Sequence, residues 1–439
     1  MGGVPLLVLC IPLVVSASAE VSAVFEPPVV AYTASNTHGW FSQILDPGTG
    51  PLVLSVSLGG DGTTAQCPGT CAGVPGPRGC PATHRNSTGC SVSLMSTDHG
   101  RTWHGLPKWL GANEILQLPS PTPHTQSTEA TNGTFVTLPY RVTVDPATNL
   151  TATSVSGYAR VDSAGVYTHD PTSDFKVLWT APPGVRWPAT LVHSGTVVRL
   201  ADGSHLTTLY GHGSGSYRKW DAHPATYFAR STDLGRSWAG VSEIPWQPAY
   251  GNSSDGPAEP NMARLPDGTL WCVYRSDATE FYWSAVSRDE GRSWGNVTPL
   301  NFSWSVRPQL RVTSRGLLVL TGGRPGINIW ASGDRGATWT RFNIAAEHNR
   351  LLNGTDDASL LTYDQQVVAA SGPHFPRASP EPQTTSYTGL TEAADGALVV
   401  SYDRLANGWK DRVWAVNGTL LPGCWGTADR VFTMRVMLT

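Results

Sequence analysis

The chain has 439 residues, a net charge of -3, only 14% charged residues and no basic run, so nucleic acid and anionic membrane surfaces are poor candidates as partners. Its 46 Gly, 34 Pro and 17 Trp describe a chain of many tight turns and much buried aromatic surface, which points to an all-β fold rather than a helical one.

Residues 4–15 are nearly all apolar and lead into Ser16-Ala17-Ser18-Ala19-Glu20. The run is too short to span a bilayer and reads as the core of a signal peptide cleaved after Ala19, although no Lys or Arg precedes it. No later apolar run is of spanning length. Residues 20–439 are therefore expected to form one exported domain. N-x-S/T sequons begin at Asn86, Asn132, Asn149, Asn252, Asn296, Asn301, Asn353 and Asn417, which agrees with export. Cys67, Cys71, Cys80 and Cys90 crowd one Gly/Pro-rich loop at 67–90, as two disulfides in one of three pairings or, as a rival, a zinc site. Cys272 and Cys424 are far apart, and their pairing stays open.

Residues 21–32 read as an extended entry segment, followed by strands at 40–45, 52–58 and 91–96. The stretch 106–132 is polar and rich in Pro, Ser and Thr, hence loop, and 135–142 and 152–161 are strand-like. A clearer unit follows, with strands at 189–193, 196–200, 205–210 and 226–231 and a hairpin turn at Asp202-Gly203. It recurs at 261–287 around Asp267-Gly268 and at 309–332 around Arg315-Gly316. A last unit covers 387–392, 397–403, 413–416 and 430–438 around Asp395-Gly396. One short helix is expected near 344–350.

Four segments share the pattern S-x-D-x-G-x-S/T-W, at residues 96–103, 231–238, 287–294 and 332–339. The Asp can accept backbone N–H bonds and close a turn, the Gly can take positive φ, and the Trp brings a large apolar body. Four copies of one turn mark a repeat protein. Units of two to four short strands cannot bury both faces alone, and packed radially they form a β-propeller.

These turns resemble the Asp-boxes of the sialidase (neuraminidase) superfamily. The resemblance covers most of the chain and implies a six-bladed β-propeller of antiparallel four-stranded blades, with the active site at the mouth of the central channel. It also implies the chemistry. A sialoside carries a carboxylate on its anomeric carbon, so the nucleophile is a neutral Tyr activated by a Glu, arginines hold the substrate carboxylate, and a carboxylic acid protonates the leaving oxygen.

Residues 259–275 resemble the family segment that starts with the Tyr's Glu partner and ends on a carboxylate-binding Arg, which implies Glu259 and Arg275 in those roles. Arg324, eight residues before the box at Ser332, resembles the later binding Arg, with Arg307 and Arg311 as competitors. Ser386-Tyr387-Thr388-Gly389-Leu390, followed by a strand ending at Tyr402-Asp403, resembles the segment of the nucleophile, so Tyr387 is the candidate nucleophile. Asp403, grouped with the substrate-binding residues, falls where the family keeps the Glu that orients its first-strand Arg. Asp61 in Gly59-Gly60-Asp61-Gly62 is the candidate acid, while Asp221 and His223 have no matching motif.

One family element is missing. Where the first strand would carry a binding Arg, this chain reads Gly39-Trp40-Phe41-Ser42-Gln43-Ile44-Leu45, leaving Arg404 as a conceivable substitute. The expected activity is retaining removal of terminal sialic acid, or a related 2-keto acidic sugar, from sialylated or other acidic glycans, with no cofactor. The alternatives are a glycan-binding propeller without catalysis and a propeller glycosidase for another sugar. No G-x-S-x-G elbow and no H-E-x-x-H motif points elsewhere.

Overall fold

The computed structural model describes residues 21–35, 39–48, 50–59, 89–105, 115–116, 134–138, 141–145, 147–148, 151–161, 167–169, 175–185, 187–188, 190–212, 224–251, 256–276, 281–303, 306–323, 326–352, 359–361, 384–405 and 428–439. The Cys-rich loop, apart from residues 89–90, the strand expected at 413–416 and the residues Asp61, Asp221, His223 and Arg324 lie outside them.

The fold is a six-bladed propeller of antiparallel sheets. Three blades stand as separate four-stranded sheets: Gly39–Leu45, Leu52–Gly59, Gly89–Ser96 and His104–Gly105; Ala258–Arg264, Leu270–Arg275, Phe281–Ser287 and Gly295–Ser303; and Val306–Val312, Leu318–Gly323, Ile327–Ser332 and Thr340–Asn343. Strands between Ile115 and Ile244 make two further blades whose ladders run together into one ten-stranded sheet. The join is an antiparallel pairing of Arg141–Val144 with Thr190–Arg199 and a parallel pairing of Phe175–Thr180 with Ser237–Ile244. The last blade holds Gly389–Glu392, Leu398–Arg404 and Ala428–Leu438, and its outer edge comes from the other end of the chain. Ala23–Phe25 and Val29–Ser35 both pair with Ala428–Leu438, so residues at the two ends of the described chain close the ring.

In each box-bearing blade the Asp-box turn does not end the unit but joins the third strand to a fourth that starts at or just after the end of the box. Residues 189–193 and 196–200 are not two strands but one, Thr190–Arg199, with a bulge between His193 and Val197. The helix is present as Ile344–Leu352.

The core lies between blades. One cluster joins Ile44, Leu54 and Val56 of the first blade to Val399 and Val431 of the last. Another joins Val273 and Tyr282 of the fourth blade to Leu318, Leu320 and Trp330 of the fifth. Alternation along each strand places one face on each neighbour, so a blade has no core of its own. Trp179 and Trp238 stack at 5.4 Å, both wholly buried, and truncating either to Ala removes about 3–5 kcal/mol.

The four boxes repeat one hydrogen-bond set. Each Ser hydroxyl donates to the Asp Oδ1 at 2.7–2.9 Å and accepts from the Gly N–H at 2.7–2.9 Å. The same Oδ1 accepts the N–H four residues on at 2.8–2.9 Å, and Oδ2 accepts that residue's hydroxyl at 2.5–2.6 Å. Three of the box glycines press on the preceding blade: a Cβ would lie 2.9 Å from Val399 at Gly100, 2.5 Å from Leu206 at Gly291 and 2.5 Å from Trp271 at Gly336. The box is thus a fastener between blades at the end of the channel opposite the site.

Candidate active site at the channel mouth

The innermost strand of a blade starts at the mouth, and on three blades it starts with a bulge. Pairing skips from Trp40 to Gln43, from Ala258 to Asn261 and from Val306 to Gln309. On the last blade pairing begins at Gly389. Two residues before pairing begins or resumes stand, in turn, Phe41, Glu259, Arg307 and Tyr387. The same four stand nine residues before the turn glycines Gly50, Gly268, Gly316 and Gly396. Bulges re-aim a side chain out of the ladder, and one bulge repeated on three blades, with the start of pairing on the last, delivers four different side chains to a common place.

Backbone strain marks the same spot. Eight non-glycine residues among those described have positive φ. His99, Leu234, Glu290 and Arg335 are the box residues before the Gly, and Asn296 is a fifth. The other three are Phe41 at 49°, Glu259 at 49° and Ser386 at 61°, all at the mouth. Such a backbone costs about 1–3 kcal/mol per residue and persists only where its surroundings hold it.

The Tyr387 hydroxyl donates to Glu259 Oε1 at 2.5 Å, at the short end of the range for a charged acceptor. The two residues are 128 apart in sequence. Glu259 Oε2 accepts the Arg307 N–H at 2.8 Å and lies 3.2 Å from Arg275 Nη1. One carboxylate therefore holds a phenol on one oxygen and a guanidinium on the other, with both ion-pair partners nearly buried. Arg275 reaches it from the end of Leu270–Arg275, the strand beside that of Glu259, so the pair is built within one blade.

Aromatic rings back the phenol. Phe41 meets Tyr387 at 4.6 Å and 64°, and Trp40 stacks on Phe41 at 4.9 Å and 26°. Trp40 is buried and Phe41 half-buried.

Asp403, expected among the substrate-binding residues, is wholly buried and meets the protein's own donors. Its carboxylate accepts Thr384 Oγ1–H at 3.0 Å, Thr385 N–H at 2.6 Å, the Thr385 hydroxyl, and Phe41 N–H at 3.3 Å. It ties the strained Phe41 to the segment that enters Tyr387. Burial raises its pKa to about 6, against these hydrogen bonds, which favour the charged form.

The competing arginines separate by strand position. Arg307 is at the mouth. Arg311 is near the other end of Val306–Val312, where it interacts with Asp46 and Glu392. Arg404 directs its Nε to the Leu360 carbonyl at 3.3 Å. The charge of Arg307 also acts on His193, which is buried. Burial first, and that charge second, push the His193 pKa down to about 3. Thr207 donates its hydroxyl to Thr196 O at 2.6 Å, so His193 Nε2, 2.8 Å from that hydroxyl, carries the ring proton.

Sequence reading missed Phe41 as part of the site, as well as the Arg307 N–H and the Thr384–Thr385 support. The nine-residue offset from the turn glycine is the signal that finds the first two. Among the described residues no group of three or more His, Cys, Asp or Glu is placed to hold a metal ion. No helix among them is long and apolar enough to cross a membrane.

A family model described as a BNR repeat-like domain matches residues 140–400. No curated protein matches the chain. Among solved structures, a Dyadobacter fermentans protein of unknown function aligns with a TM-score of 0.56 at 14% identity, over 95% of this chain and 99% of that one. The NanB sialidase of Streptococcus pneumoniae aligns at 0.48 and 10%, over 94% and 71%. The intramolecular trans-sialidase of Ruminococcus gnavus aligns at 0.42 and 13%, over 92% and 96%. At 14% identity the first of these likenesses is one of fold alone.

Proposed function

Since the chain belongs to the BNR repeat-like family, whose scaffold does not by itself fix a reaction, we propose a reaction from the mouth residues: a sialidase-like exo-glycosidase that removes terminal sialic acid, or a related 2-keto acidic sugar, with retention. The observation that carries the reading is the 2.5 Å hydrogen bond from the Tyr387 hydroxyl to Glu259. A phenol donating to a carboxylate at that distance is arranged as a nucleophile with its base.

In this reading the Tyr387 oxygen attacks the anomeric carbon and its proton passes to Glu259. The C–O bond to the aglycone breaks, and its oxygen takes a proton from the acid, for which Asp61 is the proposed residue. Water then attacks the glycosyl-tyrosine, gives a proton to the acid site and releases the sugar, while Tyr387 regains its proton from Glu259. A neutral phenol suits a substrate whose own carboxylate would repel a carboxylate nucleophile. Arg275 and Arg324 are the proposed cations for that carboxylate. Arg275 also neutralises Glu259, so its charge is shared between base and substrate. The signal-like N-terminus and the sequons support secretion as the setting.

The test is hydrolysis of a fluorogenic sialoside by the wild type and by Tyr387→Phe. Turnover that is lost in the variant, with its fold intact, supports the reading; turnover that survives unchanged overturns it. One observation favours a second reading, a glycan-binding propeller without catalysis: the first-blade bulge presents Phe41 rather than a cation.

A further inference from the structure

We infer that Phe41 is a specificity-determining residue whose ring forms an apolar wall of the sugar site and receives the C–H face of a pyranose. The inference rests on the proposed function only for the place of the reacting carbon, over the Tyr387 oxygen.

Three observations lead to it. Phe41 occupies the bulge position that elsewhere presents Glu259 and Arg307, and Tyr387 stands at the equivalent place just before its strand starts pairing, so the fold aims Phe41 where it aims the reacting groups. Its φ of 49° is a conformation that a bulky residue avoids, and the buried Asp403 holds it there through the Phe41 N–H at 3.3 Å. A residue that served only as filler could sit in extended backbone and gain that strain energy back. Its ring lies against the ring of Tyr387 at 4.6 Å, while Trp40 beneath is buried and fixes its orientation.

A sugar must bring its anomeric carbon within about 3–3.5 Å of the nucleophilic oxygen to react. Its ring then extends beside the phenol, where Phe41 is the neighbour. A phenyl ring offers no hydrogen bond and no charge, so what it recognises is carbon-bound hydrogen. The sugar carboxylate is thereby directed away from the first blade, toward the side that carries Arg275 and Arg307. Sugar binding places its charged substituent by exclusion from the Phe41 side as well as by attraction on the other.

A second role for Phe41, that of merely steadying Tyr387, makes a different prediction, and binding separates the two. Calorimetric titration of the free 2-keto acidic monosaccharide and of a neutral hexose is carried out on the full chain, Phe41→Ala, Phe41→Trp and Tyr387→Phe, with thermal melts to confirm folding. The expected result is that at least one of the two sugars binds the wild type, that Phe41→Ala weakens it at least about 10-fold, and that Phe41→Trp stays within about 3-fold. Tyr387→Phe, which retains the wall, binds within about 3-fold of wild type although it does not turn over a sialoside. If a folded Phe41→Ala binds as the wild type does, or if neither sugar binds the wild type, the inference is overturned. If the wild type shows no turnover yet Phe41→Ala loses binding, the catalytic reading fails and the wall stands.

Discussion

The two ends of the channel use the same backbone device for different ends. At the Asp-box end, one non-glycine residue per box sits at φ 58–62°, and the surrounding hydrogen bonds agree from box to box within 0.2 Å. At the mouth, Phe41 and Glu259 are equally strained, but each has different partners drawn from different blades, while the Ser386 N–H beside them donates to Thr384 Oγ1 two residues back. The box partners are at most four residues away, whereas Tyr387 and Glu259 are 128 apart. Strain supported by local bonds is repeated four times and makes a fastener. Strain supported by distant residues occurs once each and makes a site. The lesson is that repetition marks scaffold, and departure from the repeat at a repeated position marks function.

The strongest way to break this comparison is to remove one hydroxyl at the mouth. Tyr387→Phe should cost at least about 10³-fold in kcat/KM on a sialoside, since a nucleophile is lost outright. Its melting temperature should stay within a degree or two of wild type, because the hydrogen bond to Glu259 that is removed lies at a half-buried position. A large fall in stability would mean that the phenol is a fastener too, and the division between the ends would fail.

Asp403→Asn tests the link between mouth and core. Four donors meet the carboxylate, and an amide offers them one oxygen and an NH2 group that is itself a donor. At least one buried donor loses its acceptor, a cost of about 1–3 kcal/mol in urea unfolding that relief of the burial penalty on the charge offsets in part at pH 7. Activity should fall with it, since Phe41 and the Thr384–Thr385 segment are no longer held. Full activity in a destabilised protein would show that Asp403 is structural and has no hold on the site.

How much of this was legible in the sequence follows from the range of each interaction. The box pattern is written in eight consecutive residues, so the propeller, the turn residues and the helix at Ile344–Leu352 were readable. Glu259 and Tyr387 were found through short flanking motifs, and the structure places them in contact. The roles of Asp403 and Phe41 were not readable. Asp403 sits on a strand with Tyr402 and Arg404, where nothing local says which side chain is enclosed, and its donors are up to 362 residues away. Phe41 reads as a core aromatic until the bulge register is known. The fusion of two blades into one sheet depends on pairing between strands that no local pattern specifies.

At the box end, Gly336→Ala should separate stability from activity. Gly336 has φ of 87°, where an added Cβ is strained, and that Cβ would meet Trp271 at 2.5 Å. The expected cost is about 2 kcal/mol, from the left-handed backbone and the displaced indole. The kcat of the folded fraction should be unchanged, because this box of the fifth blade meets the fourth at Trp271, near the end of Leu270–Arg275 opposite Arg275. A drop in kcat at full occupancy of the folded state would show that the two ends are coupled through the blade.

The smallest expected effect distinguishes the ends by sign. In the boxes, burial alone would raise the carboxylate pKa values, but the hydroxyl and backbone donors outweigh it: Asp98 falls from 3.8 to about 2, and Asp233, Asp289 and Asp334 are lowered likewise. A carboxylate with a depressed folded pKa contributes stability that is full above its unfolded value and is lost as pH falls through the folded one. The boxes should therefore loosen only on acidification below about pH 4. Asp403 runs the other way. Burial raises its pKa from 3.8 to about 6, so its protonated form is the one folding favours, and its contribution is full below 3.8 and lost as pH rises through about 6. From pH 7 to 5 the melting temperature of the wild type should therefore rise slightly relative to that of Asp403→Asn, and below pH 4 both should fall together. Protonation also removes an acceptor site from one of the four donors, so the Phe41 amide resonance should shift with a midpoint near pH 6. Parallel melting curves for the two proteins between pH 7 and 5 would mean that Asp403 keeps an ordinary pKa, and that the Phe41 backbone is held by hydrogen bonds whose strength does not depend on its charge.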